Sequence, residues 1–255
     1  MREFACGRMK VLAADSTSQM AEKAATDFAA GAAALLRSNP EINVVFSGAE
    51  SQSVFHRSLR ARADIDWSRI NAFSVDEFYA PGMHAENTVS AQPTRDLYEH
   101  VSPKSVNVID YAAKDIEAER LRYEALIAAR PPHISCLGIG ISGHIALNEP
   151  GHTNFHDPQR VRFVKVVDES KRQLEQDPNF KALSAIPDSG FTITMPTLMA
   201  ASVILVVVPY AIKAAIVARL MHASVSPDLP ASILKEKENA TMYLDPESAG
   251  KLAGE

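Results

Sequence analysis

A chain of 255 residues, 46% hydrophobic and 22% charged, has ordinary globular composition and enough length to bury a core without disulfide or metal staples. Its 26 basic against 31 acidic residues give a net charge of -5, which argues against nucleic acid as the main partner, because phosphate-tracking proteins carry basic patches. The longest apolar run, Val203 to Val208, falls far short of the roughly 20 residues that span a bilayer, so no membrane partner is expected.

Met1 to Lys10 lacks the apolar core of a signal peptide. Cys6 and Cys136 have no metal spacing and predict no disulfide framework, so a cytoplasmic chain is the expectation. Ser16 to Arg37 is Ala-rich and predicts an amphipathic helix, with Ser16 or Thr17 as its N-cap. Ile42 to Phe46 reads as a buried strand, Ser51 to Arg62 as a helix and Ile70 to Val75 as the next strand. Thr88 to Val101 is read as a helix, Val106 to Ile109 as a short strand and Ile116 to Arg130 as a helix. Ile134 to Leu137 is a strand before a glycine-rich turn. Phe191 to Met195 and Val203 to Val208 are further strands, a helix runs from Tyr210 to His222, and Thr241 to Leu244 closes the series. Strands that alternate with helices of 10–20 residues, and that are apolar throughout, predict βαβ units in a mostly parallel sheet covered on both faces. The polar, weakly periodic stretch from His152 to Pro187 is long for a simple loop and is expected to be a lid-like insertion in one α/β domain.

In open α/β sheets the ligand lies beyond the carboxyl ends of the strands, which singles out three segments. Ser47-Gly48-Ala49-Glu50-Ser51-Gln52 reads either as an anion-binding turn, with backbone N–H groups at a helix start and hydroxyls from Ser47 and Ser51, or as a plain βα turn built of small residues. An inward Glu50 would repel a phosphate. Asp76-Glu77 at a strand end can divide the roles of base and orienting acid, or serve as turn and cap carboxylates. Gly138 to Gly151 (GIGISGHIALNEPG) lets backbone approach a ligand at Gly138, Gly140 and Gly143. Pro150-Gly151 stops any following helix, which weighs against a dinucleotide site despite the Gly-x-Gly-x-x-Gly spacing. His144 and Glu149 form a proton-shuttling pair or a surface histidine beside a turn. His152 and His156 lack a third ligand, so no metal is expected. No nucleophile elbow and no Walker loop occurs.

Taken together, Val75-Asp76-Glu77-Phe78 and, about sixty residues on, the Gly-His-Ile-Ala-Leu-Asn-Glu-Pro-Gly stretch resemble the glucosamine-6-phosphate deaminase (isomerase) family, and the resemblance extends from the first helix to Pro230-Ala231-Ser232-Ile233-Leu234. It implies a Rossmann-like fold and conversion of an amino-sugar phosphate to a keto-sugar phosphate plus ammonia, with no cofactor. By the same resemblance Asp76 matches the general base between C2 and C1, and Glu77 its acidic neighbour. His144 matches the ring-opening histidine and Glu149 its orienting carboxylate. Ser142 stands where the family often has Asp or Asn. Lys213 matches a phosphate-contacting lysine, and Ser47, Gly48 and Ser51 fall in the phosphate loop, with Gly143 beside His144 as a further substrate contact. The lid arginine of the family falls near Gln176, with Lys171 and Arg172 as nearby substitutes. The partner implied is a small-molecule sugar phosphate, and a homo-oligomer is compatible with the family, in which hexamers occur. A 6-phosphogluconolactonase and a non-catalytic sugar-phosphate sensor are the competing readings.

Overall fold

In the computed structural model, which describes residues 1–168, 170–171 and 187–252, the chain opens with a hairpin of β1 (Arg2–Cys6) and β2 (Met9–Ala13). The hairpin turns at Gly7, whose φ of +62° suits a residue without a Cβ. Helix α1 (Thr17–Leu36) follows, capped by Ser16, whose side chain accepts from the Gln19 N–H. Then come β3 (Ile42–Phe46), α2 (Ser53–Arg60), β4 (Ile70–Ser74) and β5 (Asp76–Phe78). The second half holds β6 (Ser105–Asn107), α3 (Ile116–Ala129), β7 (Ile134–Leu137), β8 (Val161–Lys165) and β9 (Ser189–Ile193). It ends with α4 (Met195–Met199), β10 (Val203–Val208), α5 (Ala214–His222) and β11 (Ala240–Leu244).

One eight-stranded sheet, in the order β1-β2-β11-β10-β7-β3-β4-β6, is parallel except for the β1–β2 hairpin. Alternate residues of each central strand feed opposite apolar layers, as a two-sided sheet demands. Val44 and Phe46 pack with Met20, Phe28 and Phe55 under α1 and α2. Val45 and Phe73 pack with Tyr123 and Ile127 of α3 and with Val217 and Leu220 of α5. Among the described residues no helix is long and apolar enough to cross a membrane.

A second, antiparallel sheet of β5, β9 and β8 lies on the α3–α5 side, where its Phe191 and Ile193 join that layer. The expected strand Ile70 to Val75 thus continues into it. At Val75 the chain leaves the main sheet: the Val75 N–H still donates to Phe46 O (3.2 Å), but its carbonyl accepts from Ile193 N–H of the second sheet (2.9 Å). The stretch 152–187 is not one loop, because Val161 to Lys165 forms β8 against β9; residues 169 and 172–186 lie outside the described residues. The expected helix Thr88 to Val101 forms as one helical run from Ala91 to Val101, whose middle, Thr94–Tyr98, is wound as a π-helix between the α-helical ends Ala91–Pro93 and Glu99–Val101.

Candidate active site

Four adjacent strands, β10, β7, β3 and β4, end at the same rim, and the chain order reverses between β7 and β3. Such a switch point is where open α/β sheets bind ligands, because the loops after the two strands part in opposite directions. A cleft of about 90 Å³ opens there, lined by Ser47, Gly48, Ser51 and Gln52 after β3, Asp76 after β4, Gly138, Gly140 and His144 after β7, and Lys213 after β10. Six of the ten residues singled out in the sequence therefore meet in one place: Ser47, Gly48, Ser51, Asp76, His144 and Lys213.

Part of the cleft lining suits an anion. Lys213 sits in a 3₁₀ turn (Ala211–Lys213) and is buried. Its ammonium has no hydrogen-bond or ion-pair partner among the described residues, and burial lowers its pKa to about 8. A buried, unpaired cation is costly on its own, and an anionic ligand relieves that cost. Ser47 and Gly48 face it from the turn after β3, which Gln52 ties down by donating from Nε2 to Val207 O (3.1 Å). Gln52 closes the segment singled out after β3 but was assigned no role, since a glutamine after a small-residue turn has no signature of its own. Glu50 does not line the cleft. It is half-exposed and pairs with Arg95 (3.6 Å), which offsets its charge.

The cleft lining also includes groups able to exchange protons. Asp76 is buried, and its pKa stands well above the usual carboxylate range because of that burial and then the charges of Glu77 and Glu149. The His144 ring lies flat against Gly140, where a Cβ would sit 2.0 Å from the imidazole; any other residue there would displace the ring. His144 Nδ1 is 2.8 Å from Ser142 Oγ, 3.2 Å from Ser170 Oγ and 3.3 Å from Glu149 Oε2. The Ser142 hydroxyl in turn reaches Glu149 Oε2 at 3.4 Å. With a carboxylate as the one pure acceptor in this group, the arrangement fits a proton on Nδ1 and a lone pair on Nε2 of a ring that lines the cleft. Burial opposes the Glu149 carboxylate, but its contacts with His144, Ser170 and Ser142 outweigh that and hold its pKa below the usual value. Glu149 Oε1 is buried without a hydrogen-bond partner, a cost that a purely structural carboxylate would avoid. Ser170, 26 residues from His144, was not legible as a partner from the sequence.

Two of the chosen residues stand elsewhere. Glu77 points away from the cleft, and its carboxylate is held by the N–H groups of Phe78, Val89 and Ser90 and by the Ser90 hydroxyl. Burial raises its pKa to about 7, against the lowering effect of those four donors. Gly143 shapes the turn with φ +91°, packs on Leu229 and accepts from the Ala231 N–H (2.9 Å). Ser142 and Glu149 stand behind His144. Lys171 is engaged by Asp188 and Asp168 and so is not free to grip a ligand; Arg172 and Gln176 lie outside the described residues. No cluster of three His, Cys, Asp or Glu among the described residues is arranged to hold a metal ion.

Comparison with known proteins places the chain in a family. A family described as glucosamine-6-phosphate isomerases/6-phosphogluconolactonase matches residues 15–243. A glucosamine-6-phosphate deaminase of Bacillus cereus (strain G9842) is 32% identical over 184 residues, 72% of this chain and 68% of that protein. Among solved structures, a monomeric glucosamine-6-phosphate deaminase superposes with a TM-score of 0.81 at 24% identity, covering 95% of this chain and 100% of the other. A 6-phosphogluconolactonase from Thermotoga maritima superposes with a TM-score of 0.72 at 18% identity, covering 92% and 98%. At these identities the two structures show the shared fold.

Proposed function

We propose that this chain, which belongs to the family of glucosamine-6-phosphate isomerases and 6-phosphogluconolactonases, converts glucosamine 6-phosphate or a related amino-sugar phosphate to a keto-sugar phosphate and ammonia. The observation that carries the reading is one cleft lined together by the unpaired Lys213 ammonium, Asp76 and His144. Lys213 and the turn at Ser47, Gly48 and Ser51 hold the phosphate. Ring opening breaks C1–O5: His144 Nε2 takes the proton of the C1 hydroxyl and returns a proton to O5. Glu149 and Ser142 keep the imidazole oriented while its charge changes. Asp76 then removes the C2 proton and delivers it to C1, while a proton of the amine passes to O1, which leaves a C1 hydroxyl and a C2 imine. Water adds to that imine and ammonia departs. A base whose pKa is raised toward the working pH is well matched to taking and returning one proton.

Lactone hydrolysis is the second reading, because the family description includes lactonases. Hydrolysis needs a base for water but no group that carries a proton between carbons, and Asp76 at the rim of β4 speaks for isomerisation. The reading carries with it a cytoplasmic setting, where charged sugar phosphates are retained. The test is a panel of amino-sugar phosphates scored for ammonia, beside 6-phosphogluconolactone scored for hydrolysis. Ammonia and keto-sugar phosphate in equal amounts are expected. Lactone hydrolysis with no turnover of any amino-sugar phosphate would overturn the assignment.

A further inference from the structure

Asp76 and the anion loop after β3 belong to different strands, yet a single short stretch of chain, Val89 to Gln92, touches the neighbourhood of both. Glu77 follows Asp76 on β5 and, by strand alternation, points to the opposite face. Its carboxylate is a fully buried anchor for that stretch. Oε1 accepts from the N–H groups of Phe78 (3.0 Å) and Val89 (2.9 Å), and Oε2 from the Ser90 N–H (3.0 Å) and hydroxyl (2.8 Å). The Val89 carbonyl lies so close to Gly48 that a Cβ there would be 2.1 Å from it. Three residues on, Gln92 Oε1 accepts from the Ala49 N–H (3.3 Å), while its amide donates to Ser53 Oγ (3.2 Å) and Asp96 Oδ2 (2.9 Å). The carboxylate next to Asp76 therefore fixes the stretch, and the stretch fixes the loop.

We propose that Glu77 and Ser90 are positioning residues that set the spacing between the anion loop and Asp76. A sugar phosphate must be gripped at its phosphate and presented at C1–C2 at the same moment, so the distance between the two grips bears directly on rate, and small misplacements are expensive. This inference takes its substrate from the proposed function, whereas the mechanical link is a property of the chain itself. Four donors on one carboxylate make the link stiff. Glu77→Gln replaces one acceptor oxygen by an NH₂ that confronts two donors. Ser90→Ala removes one donor. Ser90→Thr keeps the hydroxyl, and the groove of about 870 Å³ that Ser90 lines on its other side leaves room for the added methyl.

The experiment is amide hydrogen exchange on the full chain for the wild type and these three variants, paired with kcat/KM on an amino-sugar phosphate and inhibition by inorganic phosphate. We expect exchange at residues 47–51 to quicken about tenfold or more in Glu77→Gln and Ser90→Ala, with the strands of the main sheet unchanged. kcat/KM falls about 10–100-fold while inhibition by inorganic phosphate, which needs one grip only, moves less than about threefold. Ser90→Thr recovers most of what Ser90→Ala loses. Unchanged exchange in the loop, or exchange raised throughout the fold, would overturn the proposal, as would equal losses for phosphate and sugar phosphate. Should Glu77→Gln fail to fold, the two Ser90 variants decide. A wild type inert toward every sugar phosphate would sink the proposed function, and loop exchange would still decide whether Glu77 and Ser90 hold the loop.

Discussion

Burial sets the Lys213 pKa at about 8, and an anion must find it protonated. Binding of a sugar phosphate is therefore expected to be constant below pH 8 and to weaken as pH rises through 8 and the ammonium is lost. KM measured from pH 6.5 to 9.5 checks this, and Lys213→Met should raise KM by roughly 30-fold or more, in line with about 2–3 kcal/mol for a charged hydrogen bond, and flatten the upper limb. A KM independent of pH in the wild type would remove Lys213 from the anion site. At this scale the sequence was most legible where partners are close in the chain. Ser142, His144 and Glu149 fall within eight residues and converge on one imidazole. Ser170 approaches the same nitrogen from a distant segment, so no spacing rule could reveal it. The direction of Glu50 was equally hidden: it depends on a single 3₁₀ turn (Glu50–Gln52) and on Arg95, forty-five residues away.

Among the elements, the central strands were legible because they are uninterrupted apolar runs, and α1 and α3 because they carry both periodicity and a cap, Ser16 and Asp115. What the sequence hid has physical reasons. The charged pair Asp76-Glu77 reads as the end of a strand, so the switch at Val75 into β5 was not foreseen. The helix expected over 88–101 starts only at Ala91 and carries a π-wound middle, Thr94–Tyr98, that no periodicity announces; Pro93 falls in its first turn, where a missing N–H removes no helical bond. β8 has one side half-exposed and sits in polar surroundings, so its pattern is weak. Helix α2 brings a further consequence. His56 on it is fully buried against Phe46 and Phe55, beside Gln92 and Asp96, and burial lowers its pKa to about 4. The unfolded chain binds a proton near pH 6.5 that the folded chain refuses until pH 4. Stability should thus fall as pH drops from 6.5 toward 4, by as much as about 3 kcal/mol from this group. Urea unfolding across that range, wild type against His56→Gln, checks it; identical slopes would show that His56 is not the group responsible.

For the molecule as a whole, the order of the main sheet does more than the surface charge. On the proposed reading, a chain with net charge -5 attracts an anion through a local arrangement, in which the reversal of strand order brings the buried Lys213 and the turn after β3 to the same rim. The same reversal lines that cleft with Asp76 and His144, and in the proposed function the presence of Asp76 is what separates proton transfer between carbons from simple hydrolysis. The decisive measurement follows an amino-sugar phosphate deuterated at C2 by NMR, with ammonia scored in parallel. The label should leave C2 in step with ammonia release in the wild type, while Asp76→Asn, saturated with ligand, slows both by at least about a thousandfold. Ammonia appearing while the label stays at C2, or Asp76→Asn turning over at the wild-type rate, would contradict the account.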